Sequence, residues 1–550
     1  MNQSPPAIET ESLTGGQAVV KSLIAHGVDT VFGLPGVQND WLYNAFYDYK
    51  ESIRVIHPRH EQGAGYMALG YHLASGRDAV YNIVPGPGFL NSSAALATAY
   101  GLNARVLCLV GQTPRSTQGK GWGVLHEIPD QIGIMRSLTK WAEIVKSPSE
   151  APDLVAEAFL QLHEGRPRPV GLEVAMDVLK KEEDVDTNVT LRKPTHITLD
   201  EDAVNQAAKL LAGARRPLIF VSSGAIEASN EVVQLAEWLQ APVFSYRTGK
   251  GIVSSRHPLS FPVPAAYDLW KEADVVIGIG SRMRMPLLKW GRDEELKIIS
   301  INVDANDHNC IAEPTISITN HARPTVLALL NALPKHGTPR KPDTEMLETL
   351  RTGWNEKVAY LEPQATYLRI IREEMPDDGI FVDELTQVGF ASRILWESYQ
   401  PRTYLSTGYM GTLGWGFPTA LGAKVARPDV PVISVAGDGG LMFAIQELAT
   451  AVQHKIGVTV LLFNNNLFGN VRSMQENLYD NRVIATDLHN PDFVKMAHSF
   501  GANAARVTSF DGLRSALREA RGESLPTLIE IPVGNDWPST NRFKSLPKIR

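Results

Sequence analysis

Short apolar segments that run into glycine- and proline-rich turns alternate with amphipathic segments along most of the chain. In the first third, "DTVFGLPG", "RVIHPRHE", "AVYNIVPGPG" and "RVLCLVGQTP" have the character of buried strands, and "GGQAVVKSLIAHG" and "QGAGYMALGYHLASG" have helical spacing. Because parallel strands need a crossover connection, which is usually a helix, this alternation predicts parallel α/β sheets. Ligands in such sheets bind beyond the carboxyl ends of the strands.

The pattern occurs three times, separated by two charged segments. These segments, "KKEEDVDTNVTLRKP" (180–194) and "LPKHGTPRKPDTE" (333–345), lack apolar periodicity and are predicted to be linkers. A chain of 550 residues is too long for one hydrophobic core. We therefore predict three domains, at 10–180, 198–333 and 350–540, each a mostly parallel sheet flanked by helices.

Charge and composition narrow the class of partner. A net charge of −7 argues against nucleic acid, since phosphate binding requires a basic face. The two cysteines, Cys108 and Cys310, argue against a disulfide framework. The polar first residues, "MNQSPPAIETESL", and the absence of any uncharged apolar run long enough to span a bilayer predict a cytoplasmic protein with no membrane partner. The expected partner is a small-molecule substrate.

Polar residues end two strands predicted in the last third. "VISVAGDGG" ends with Asp438 between glycines, and "VTVLLFNNN" ends with three asparagines that include Asn465. The helix-compatible stretch between them predicts parallel neighbouring strands, so Asp438 and Asn465 are expected to meet at one sheet edge. Their oxygens suit Mg²⁺, and Gly437, Gly439 and Gly440 allow backbone N–H groups to approach a phosphate. The alternative is that these are ordinary turn residues.

The GDG…NN pattern resembles the metal motif of thiamine-diphosphate-dependent enzymes. "VFGLPG", "RHEQGAGYMALGY", "GPGFLN", "LVGQTP" and "GYMGTLGWGFPTALGAKVA" are similar to motifs of acetohydroxyacid synthases and benzaldehyde lyase, in the same order and over nearly the whole chain. The resemblance implies thiamine diphosphate and Mg²⁺ as cofactors. It also implies thiamine-diphosphate-binding folds in the first and third domains, a Rossmann-like middle domain, and a homodimer or homotetramer with active sites shared between subunits.

The resemblance assigns roles at the thiamine end of the cofactor. Glu61, in "RHEQGAG", is implied to be the catalytic acid that shares a proton with the pyrimidine ring; the alternative is a carboxylate that caps the following helix. Leu413, in "GTLGW", is implied to support the bent cofactor. The carbonyl of Gly411 is implied to accept a hydrogen bond from its amino group.

The resemblance also assigns the diphosphate end. Asp438, Asn465 and the carbonyl of Leu467 are implied to be the Mg²⁺ ligands. Thr386 and Gln387, in "VDELTQVG", lie where relatives hold the diphosphate, although this spelling departs from the family's usual one.

Departures from the family patterns bear on the substrate. "VRSMQ" has Met474 where acetohydroxyacid synthases have a tryptophan that selects the acceptor, and Asn470 replaces an apolar residue. In the first loop, Val37 and Gln38 follow "PG", where pyruvate and benzoylformate decarboxylases place an acid or a serine. These four residues are predicted to contact the substrate. Asn470 and Met474 argue against biosynthetic acetohydroxyacid synthase specificity, and at Val37 and Gln38 the polar groups of the decarboxylases are missing or displaced.

Further substrate candidates lie in the first domain. "LHEIPDQIGIMRSLTKWA" resembles a region of benzaldehyde lyase and of a cyclohexane-1,2-dione hydrolase, which places His126 and Gln131 near the reacting carbons. Gln112, in "LVGQTP", and Phe89, in "GPGFLN", are also candidates for the substrate pocket, as is Trp122. The alternatives are a surface histidine, a glutamine at a helix start and aromatic residues of the core.

The resemblance implies a carbon–carbon bond-cleaving or bond-forming enzyme of the acetolactate synthase type, which acts on a 2-keto acid through a C2 carbanion and an enamine. Alternatives are an acyloin or 1,2-diketone lyase or hydrolase of the benzaldehyde lyase type, and a flavin-containing 2-keto acid oxidase. "VSSRHPLSFPVPAAYDLW" lacks the glycine-rich stretch of the flavin members, which predicts that FAD is not bound. A non-catalytic cofactor-binding paralogue is the alternative from another class, and the retained Glu61, Asp438 and Asn465 argue against it.

Overall fold

The computed structural model describes residues 10–188 and 191–550. The strands are β1 Thr10–Thr14, β2 Thr30–Gly33, β3 Arg54–Ile56, β4 Ala79–Ile83, β5 Val106–Gln112, β6 Trp141–Val145, β7 Val170–Ala175, β8 Glu182–Asp186, β9 Pro217–Val221, β10 Val243–Ser245, β11 Ser260–Pro262, β12 Val275–Ile279, β13 Lys297–Asn302, β14 Ile316–Thr319, β15 Ile380–Val382, β16 Tyr404–Leu405, β17 Val432–Gly437, β18 Thr459–Asn464, β19 Asn503–Arg506 and β20 Thr527–Pro532. Every strand that the alternating pattern predicts is present.

The helices flank these strands. They are α1 Gly15–Ala25, α2 Asp40–Asp48, α3 Glu61–Ser75, α4 Pro87–Gly101, α5 Gln131–Leu138, α6 Ala151–His163, α7 Met176–Lys180, α8 Glu201–Gly213, α9 Ser229–Leu239, α10 Tyr267–Trp270, α11 Ala322–Ala332, α12 Thr344–Val358, α13 Gln364–Glu373, α14 Gln387–Leu395, α15 Gly416–Ala426, α16 Asp438–Leu441, α17 Glu447–Gln453, α18 Gly469–Leu478, α19 Phe493–Ser499 and α20 Phe510–Ala520. The single helix predicted between the two polar strand ends is thus two shorter helices, α16 and α17. None of the helices in the described part of the chain has the length and apolar composition that a membrane crossing requires.

Three six-stranded sheets follow one another along the chain. Their strand orders are β3-β2-β4-β5-β7-β6, β11-β10-β9-β12-β13-β14 and β16-β15-β17-β18-β20-β19. All neighbouring strands within these sheets are parallel. The prediction of three α/β domains with mostly parallel sheets is therefore confirmed, while the exact domain boundaries stay predictions.

The first predicted linker is partly wrong. Five of its residues form β8, which pairs antiparallel with β1 at the N-terminal end of the described chain. Only Val185 of β8 is buried, so the strand carries almost no apolar periodicity. Residues 189–190 of the same predicted linker lie outside the described residues. In the second predicted linker, Arg340 donates hydrogen bonds to backbone carbonyls of the middle domain, at Leu211, Ala212 and Ala214.

The first and third sheets share one hydrophobic core through α3 and α15. A Cβ on Gly70 would lie 2.0 Å from the carbonyl oxygen of Thr419, and one on Gly422 would lie 1.8 Å from that of Met67. The two helices therefore pack backbone against backbone, which only glycine permits at these positions. This contact fixes α3, and Glu61 at its start, relative to the third sheet.

Candidate active site

The two polar strand ends meet at the carboxyl edge of the third sheet. β17 and β18 are parallel neighbours, with Gly437 opposite Phe463. Asp438, the first residue of α16, is buried, and Asn464 is the last residue of β18. The predicted meeting of these strand ends is confirmed, and it follows from the crossover connection between parallel strands.

Three side-chain oxygens at this edge converge on one nitrogen. The amide nitrogen Nδ2 of Asn490 lies 2.7 Å from Oδ2 of Asp438, 3.0 Å from Oδ1 of Asn466 and 3.2 Å from Oδ1 of Asn464. An amide nitrogen carries two hydrogens, so three acceptors around it exceed what it can satisfy. A cluster of one carboxylate and two amide oxygens fits a small hard cation.

Asn465 and Leu467 lie beside this cluster. Burial raises the pKa of Asp438. Within the described residues, no hydrogen-bond donor reaches the carbonyl of Leu467, and no group of three histidine, cysteine or acidic side chains is placed to hold a metal. A cation here would therefore depend on one carboxylate together with neutral oxygens and a phosphate.

Helix N-termini border the same edge. Thr386 caps α14, its hydroxyl accepting a hydrogen bond from the N–H of Gly389 at 2.8 Å. Its Cγ2 lies 3.3 Å from where a Cβ on Gly437 would stand, so the start of α14 adjoins the glycine turn before α16. In that turn, a Cβ on Gly439 would lie 2.5 Å from the ring of Phe468. Gln387 is the first residue of α14. The N-termini of helices are typical binding sites for phosphates.

The loop that precedes α15 closes over this edge. Gly411 and Gly414 have φ of 60° and 76°, a left-handed conformation that favours glycine. Between them, the hydroxyl of Thr412 accepts a hydrogen bond from that of Tyr66 in α3, at 2.8 Å. Leu413 is half-buried. The loop thus holds Gly411 and Leu413 between the first and third domains.

Glu384 is a buried acid at the site that the sequence did not single out. Its Oε2 accepts a hydrogen bond from the N–H of Gly416 at 3.1 Å, and its Cδ lies 3.5 Å from where a Cβ on Gly440 would stand. It therefore joins the start of α15 to the glycine turn at Asp438. Burial raises the pKa of Glu384 to about 8. Its position directly after an apolar strand, in "GIFVDE", was the available signal.

Glu61 lies at the start of α3 in the first domain. Its Oε2 accepts a hydrogen bond from Nδ2 of Asn91 at 3.0 Å. The helix cap is His60, whose Nδ1 accepts a hydrogen bond from the N–H of Gln62 at 3.1 Å. The alternative interpretation of Glu61 as the capping residue is therefore wrong. Among the described residues, no hydrogen bond connects Glu61 with Asp438.

The structure separates the substrate candidates of the first domain. Phe89 is completely buried in the core shared by the first and third sheets, which favours a packing role. Gln131 is also buried: its Oε1 accepts from Gly86 and its Nε2 donates to Gly111 and Glu173. This bonding uses the polar atoms of Gln131 inside the protein and disfavours a substrate contact.

The remaining candidates lie at loop ends. Gln112 is the last residue of β5, and its Oε1 accepts a hydrogen bond from Thr113. Val37 is 54% exposed and Trp122 is 66% exposed. Gln38 and His126 are hydrogen-bonded to each other.

Asn470 and Met474 lie on α18, none of whose residues is buried. Among the described residues, no hydrogen bond or ring contact joins them to the candidates of the first domain.

Comparison with known proteins assigns each third of the chain. Residues 13–134 match the sequence model of the thiamine pyrophosphate enzyme N-terminal TPP binding domain, residues 204–329 match that of the central domain, and residues 386–531 match that of the C-terminal TPP binding domain. The last match begins at Thr386 and includes the cluster around Asp438.

Known proteins also match the chain over most of their length. The chain is 33% identical to a probable 2-ketoarginine decarboxylase of Pseudomonas aeruginosa, over 96% of this chain and 95% of the relative. It is 32% identical to a probable acetolactate synthase large subunit of Methanocaldococcus jannaschii, over 95% and 92%. It is 28% identical to the acetolactate synthase isozyme 1 large subunit of Escherichia coli, over 94% of each chain.

Proposed function

The chain belongs to the thiamine pyrophosphate enzyme family, and on that premise we propose that it decarboxylates a 2-keto acid, releasing the remaining fragment or transferring it to an acceptor. The relatives named above include a probable 2-ketoarginine decarboxylase and a probable acetolactate synthase large subunit. Met474 stands in "VRSMQ" where acetohydroxyacid synthases have a tryptophan. This difference supports a reaction that uses a different acceptor or no acceptor at all.

The observation that carries this proposal is the oxygen cluster around Asn490. We propose that Mg²⁺ binds at this cluster, with Asp438 as its carboxylate ligand and with the side chain of Asn465 and the carbonyl of Leu467, from the adjoining residues, as further ligands. The diphosphate would complete the coordination from the N-terminus of α14, beside Thr386 and Gln387. The surplus of acceptors and the close approach of Gly437 and Thr386 support this arrangement.

When bound, thiamine diphosphate would supply a nucleophilic carbon together with a cationic ring that can accept the electron pair of a breaking bond. Glu61 would hold a proton at the pyrimidine ring of the cofactor. Asn91 donates to its Oε2 and leaves Oε1 available for this purpose. Gly411 would accept a hydrogen bond through its carbonyl, and Leu413 would support the cofactor between the two rings.

We propose that two copies of the chain form each pair of active sites, as a homodimer or homotetramer. No hydrogen bond joins Glu61 to Asp438 among the described residues, and the family resemblance implies that the two belong to different subunits at one site. Several apolar side chains near both groups are exposed in the single chain, which is typical of a surface that another subunit covers. These side chains are Val37, Leu90, Trp122, Met442 and Phe443.

Calorimetric titration with thiamine diphosphate, with Mg²⁺ and then with EDTA, tests the cofactor assignment. We expect binding only in the presence of the cation.

Release of labelled CO₂ from pyruvate and from 2-ketoarginine then tests the reaction, and product analysis distinguishes an aldehyde from a ligated acyloin. Cation-independent binding, or no CO₂ from any 2-keto acid in a broad panel, would contradict the proposal. A colourless protein is expected, because the middle domain lacks the glycine-rich flavin stretch.

A further inference from the structure

Gln38 connects a backbone carbonyl to the imidazole of His126. Its Nε2 donates to the carbonyl oxygen of Leu125 at 2.9 Å, and its Oε1 lies 2.8 Å from Nδ1 of His126. A carbonyl only accepts hydrogen bonds, so the NH₂ group of Gln38 must face Leu125 and the oxygen must face the ring. Because that oxygen also only accepts, Nδ1 of His126 must carry a hydrogen. The neutral ring is therefore held in one tautomer, with the lone pair on Nε2.

The backbone holds this ring in an uncommon conformation. His126 has φ of 70°, in the left-handed region that residues other than glycine rarely adopt. A Cβ on Gly86 would lie 2.4 Å from the carbonyl oxygen of His126, so only glycine allows the two loops to meet. The carboxylate of Glu127 accepts hydrogen bonds from the N–H groups of Gly121, Gly123 and Val124 and fixes the same loop. Such conformations persist where surrounding contacts enforce them, and they cluster at functional sites.

His126 packs against the Gly86–Gly88 turn, which also lies close to Glu61. A Cβ on Gly88 would lie 3.5 Å from Oε1 of Glu61, and Gly86, two residues earlier, lies against His126. Gln38 is buried, whereas the ring of His126 is partly exposed. In the described part of the chain, Nε2 of His126 has no hydrogen-bond partner. One ring nitrogen is thus committed to Gln38, and the other has no partner among the described residues and lies on a loop that packs against the segment next to the proposed catalytic acid.

We propose that His126 contacts the substrate through Nε2 as a proton acceptor, and that Gln38 is the positioning residue that keeps the hydrogen of the neutral ring on Nδ1. The inference rests on the proposed function. Nε2 takes a proton from a hydroxyl group at the reacting carbon, while Nδ1 keeps its hydrogen and its bond to Gln38. The resulting imidazolium returns the proton to the product or to water. The substrate class is therefore one whose reacting fragment carries an ionisable O–H during turnover, as reacted 2-keto acids do.

Two variants separate this role from loop structure. His126→Asn places an amide N–H near the position of Nδ1, which preserves the bond to Gln38 but removes Nε2. Gln38→Leu keeps a side chain of similar size but removes the oxygen that holds the ring hydrogen on Nδ1, so both neutral tautomers of His126 become accessible. Gln118→Leu is the matched control, because Gln118 donates to the carbonyl of Thr113 in the same loop without contacting His126.

We expect His126→Asn to lower the rate of CO₂ release about 10²-fold or more, with unchanged affinity for thiamine diphosphate and Mg²⁺. Gln118→Leu should retain the wild-type rate. The ¹⁵N spectrum of the wild-type histidines, recorded on the intact protein, should show His126 as the Nδ1–H tautomer, and Gln38→Leu should shift it towards a mixture.

Full activity of His126→Asn, or an Nε2–H tautomer in the wild-type protein, would overturn the inference while leaving the proposed function intact. A wild-type protein that does not bind thiamine diphosphate would overturn the proposed function itself. The tautomer measurement requires neither cofactor nor turnover, so the two failures are distinguishable.

Discussion

The buried carboxylate of Glu447 accepts hydrogen bonds from the backbone N–H groups of Arg59 and His60, each at 3.1 Å. Glu447 lies on α17 in the third domain, and the two N–H groups immediately precede Glu61 in the first. A Cβ on Gly63 would lie 2.5 Å from Oε1 of Glu447, so α3 begins directly against this carboxylate. The position of the proposed catalytic acid therefore depends on a contact between domains.

Replacing Glu447 by glutamine should weaken this link. The amide presents a donor in place of one acceptor oxygen, and it leaves a buried N–H group without its partner. We expect a loss of about 1–3 kcal/mol in the free energy of unfolding, measured with denaturant, and a lower turnover rate. Glu519→Gln, an exposed exchange of the same chemistry, is the control. Equal stability of the two variants would show that the link contributes nothing.

Glu384 should make stability depend on pH. Burial raises its pKa from 4.5 to about 8, so the folded protein retains a proton that the unfolded chain releases between these values. Its contribution to stability is fully present below pH 4.5 and is lost as the pH rises towards 8. Within that window we expect a decline of about 1.4 kcal/mol per pH unit from this group. Glu384→Gln, which resembles the protonated acid, should lack this component when unfolding is compared at several pH values. If the unfolding free energies of the wild-type protein and of Glu384→Gln change with pH in the same way, the raised pKa of Glu384 would be contradicted.

The sequence predicted the elements that depend on regular patterns. Parallel neighbours such as β17 and β18 follow from apolar strands with a helix-length connection, and this placed Asp438 correctly. It did not predict β8, because an edge strand with one buried residue has no apolar alternation. Asn490 carried no local signal either, since its contact with Asp438 spans 52 residues. Glu384 was missed because its partner, the N–H of Gly416, is brought near only by the fold.

Asp438 is expected to control cation-dependent cofactor binding. Asp438→Ala removes the one carboxylate of the cluster, and the remaining amide oxygens carry no net charge to offset Mg²⁺. We expect calorimetry to show no Mg²⁺-dependent binding of thiamine diphosphate. Asp480→Asn, an exposed aspartate in the same domain, serves as the control and should bind normally. Unchanged affinity in Asp438→Ala would refute the metal assignment.

Glu61→Gln should affect turnover and leave cofactor binding largely intact. The amide can still accept the hydrogen bond from Asn91, but it cannot exchange a proton with the pyrimidine ring. We expect turnover to fall by about 10²–10⁴-fold, which is typical of a lost general acid–base group. Glu51→Gln, an exposed exchange before β3, should have no effect. Steady-state rates alongside calorimetry check both expectations, and wild-type turnover would rule out the role.

Mixed oligomers of the two inactive variants test whether subunits share the site. If Glu61 of one subunit faces Asp438 of another, a dimer of one Glu61→Gln chain and one Asp438→Ala chain contains one site with both substitutions and one with neither. Co-expression with two affinity tags isolates this mixed dimer, which should recover about half of the wild-type rate per dimer, because its sites act independently. If instead each chain builds its own complete site, every site carries one substitution and the mixed dimer stays inactive. If the subunits share the site, the partner covers the exposed side chains of Phe443 and Leu90. The backbone amides around these two residues should then exchange their hydrogens more slowly in the assembled protein.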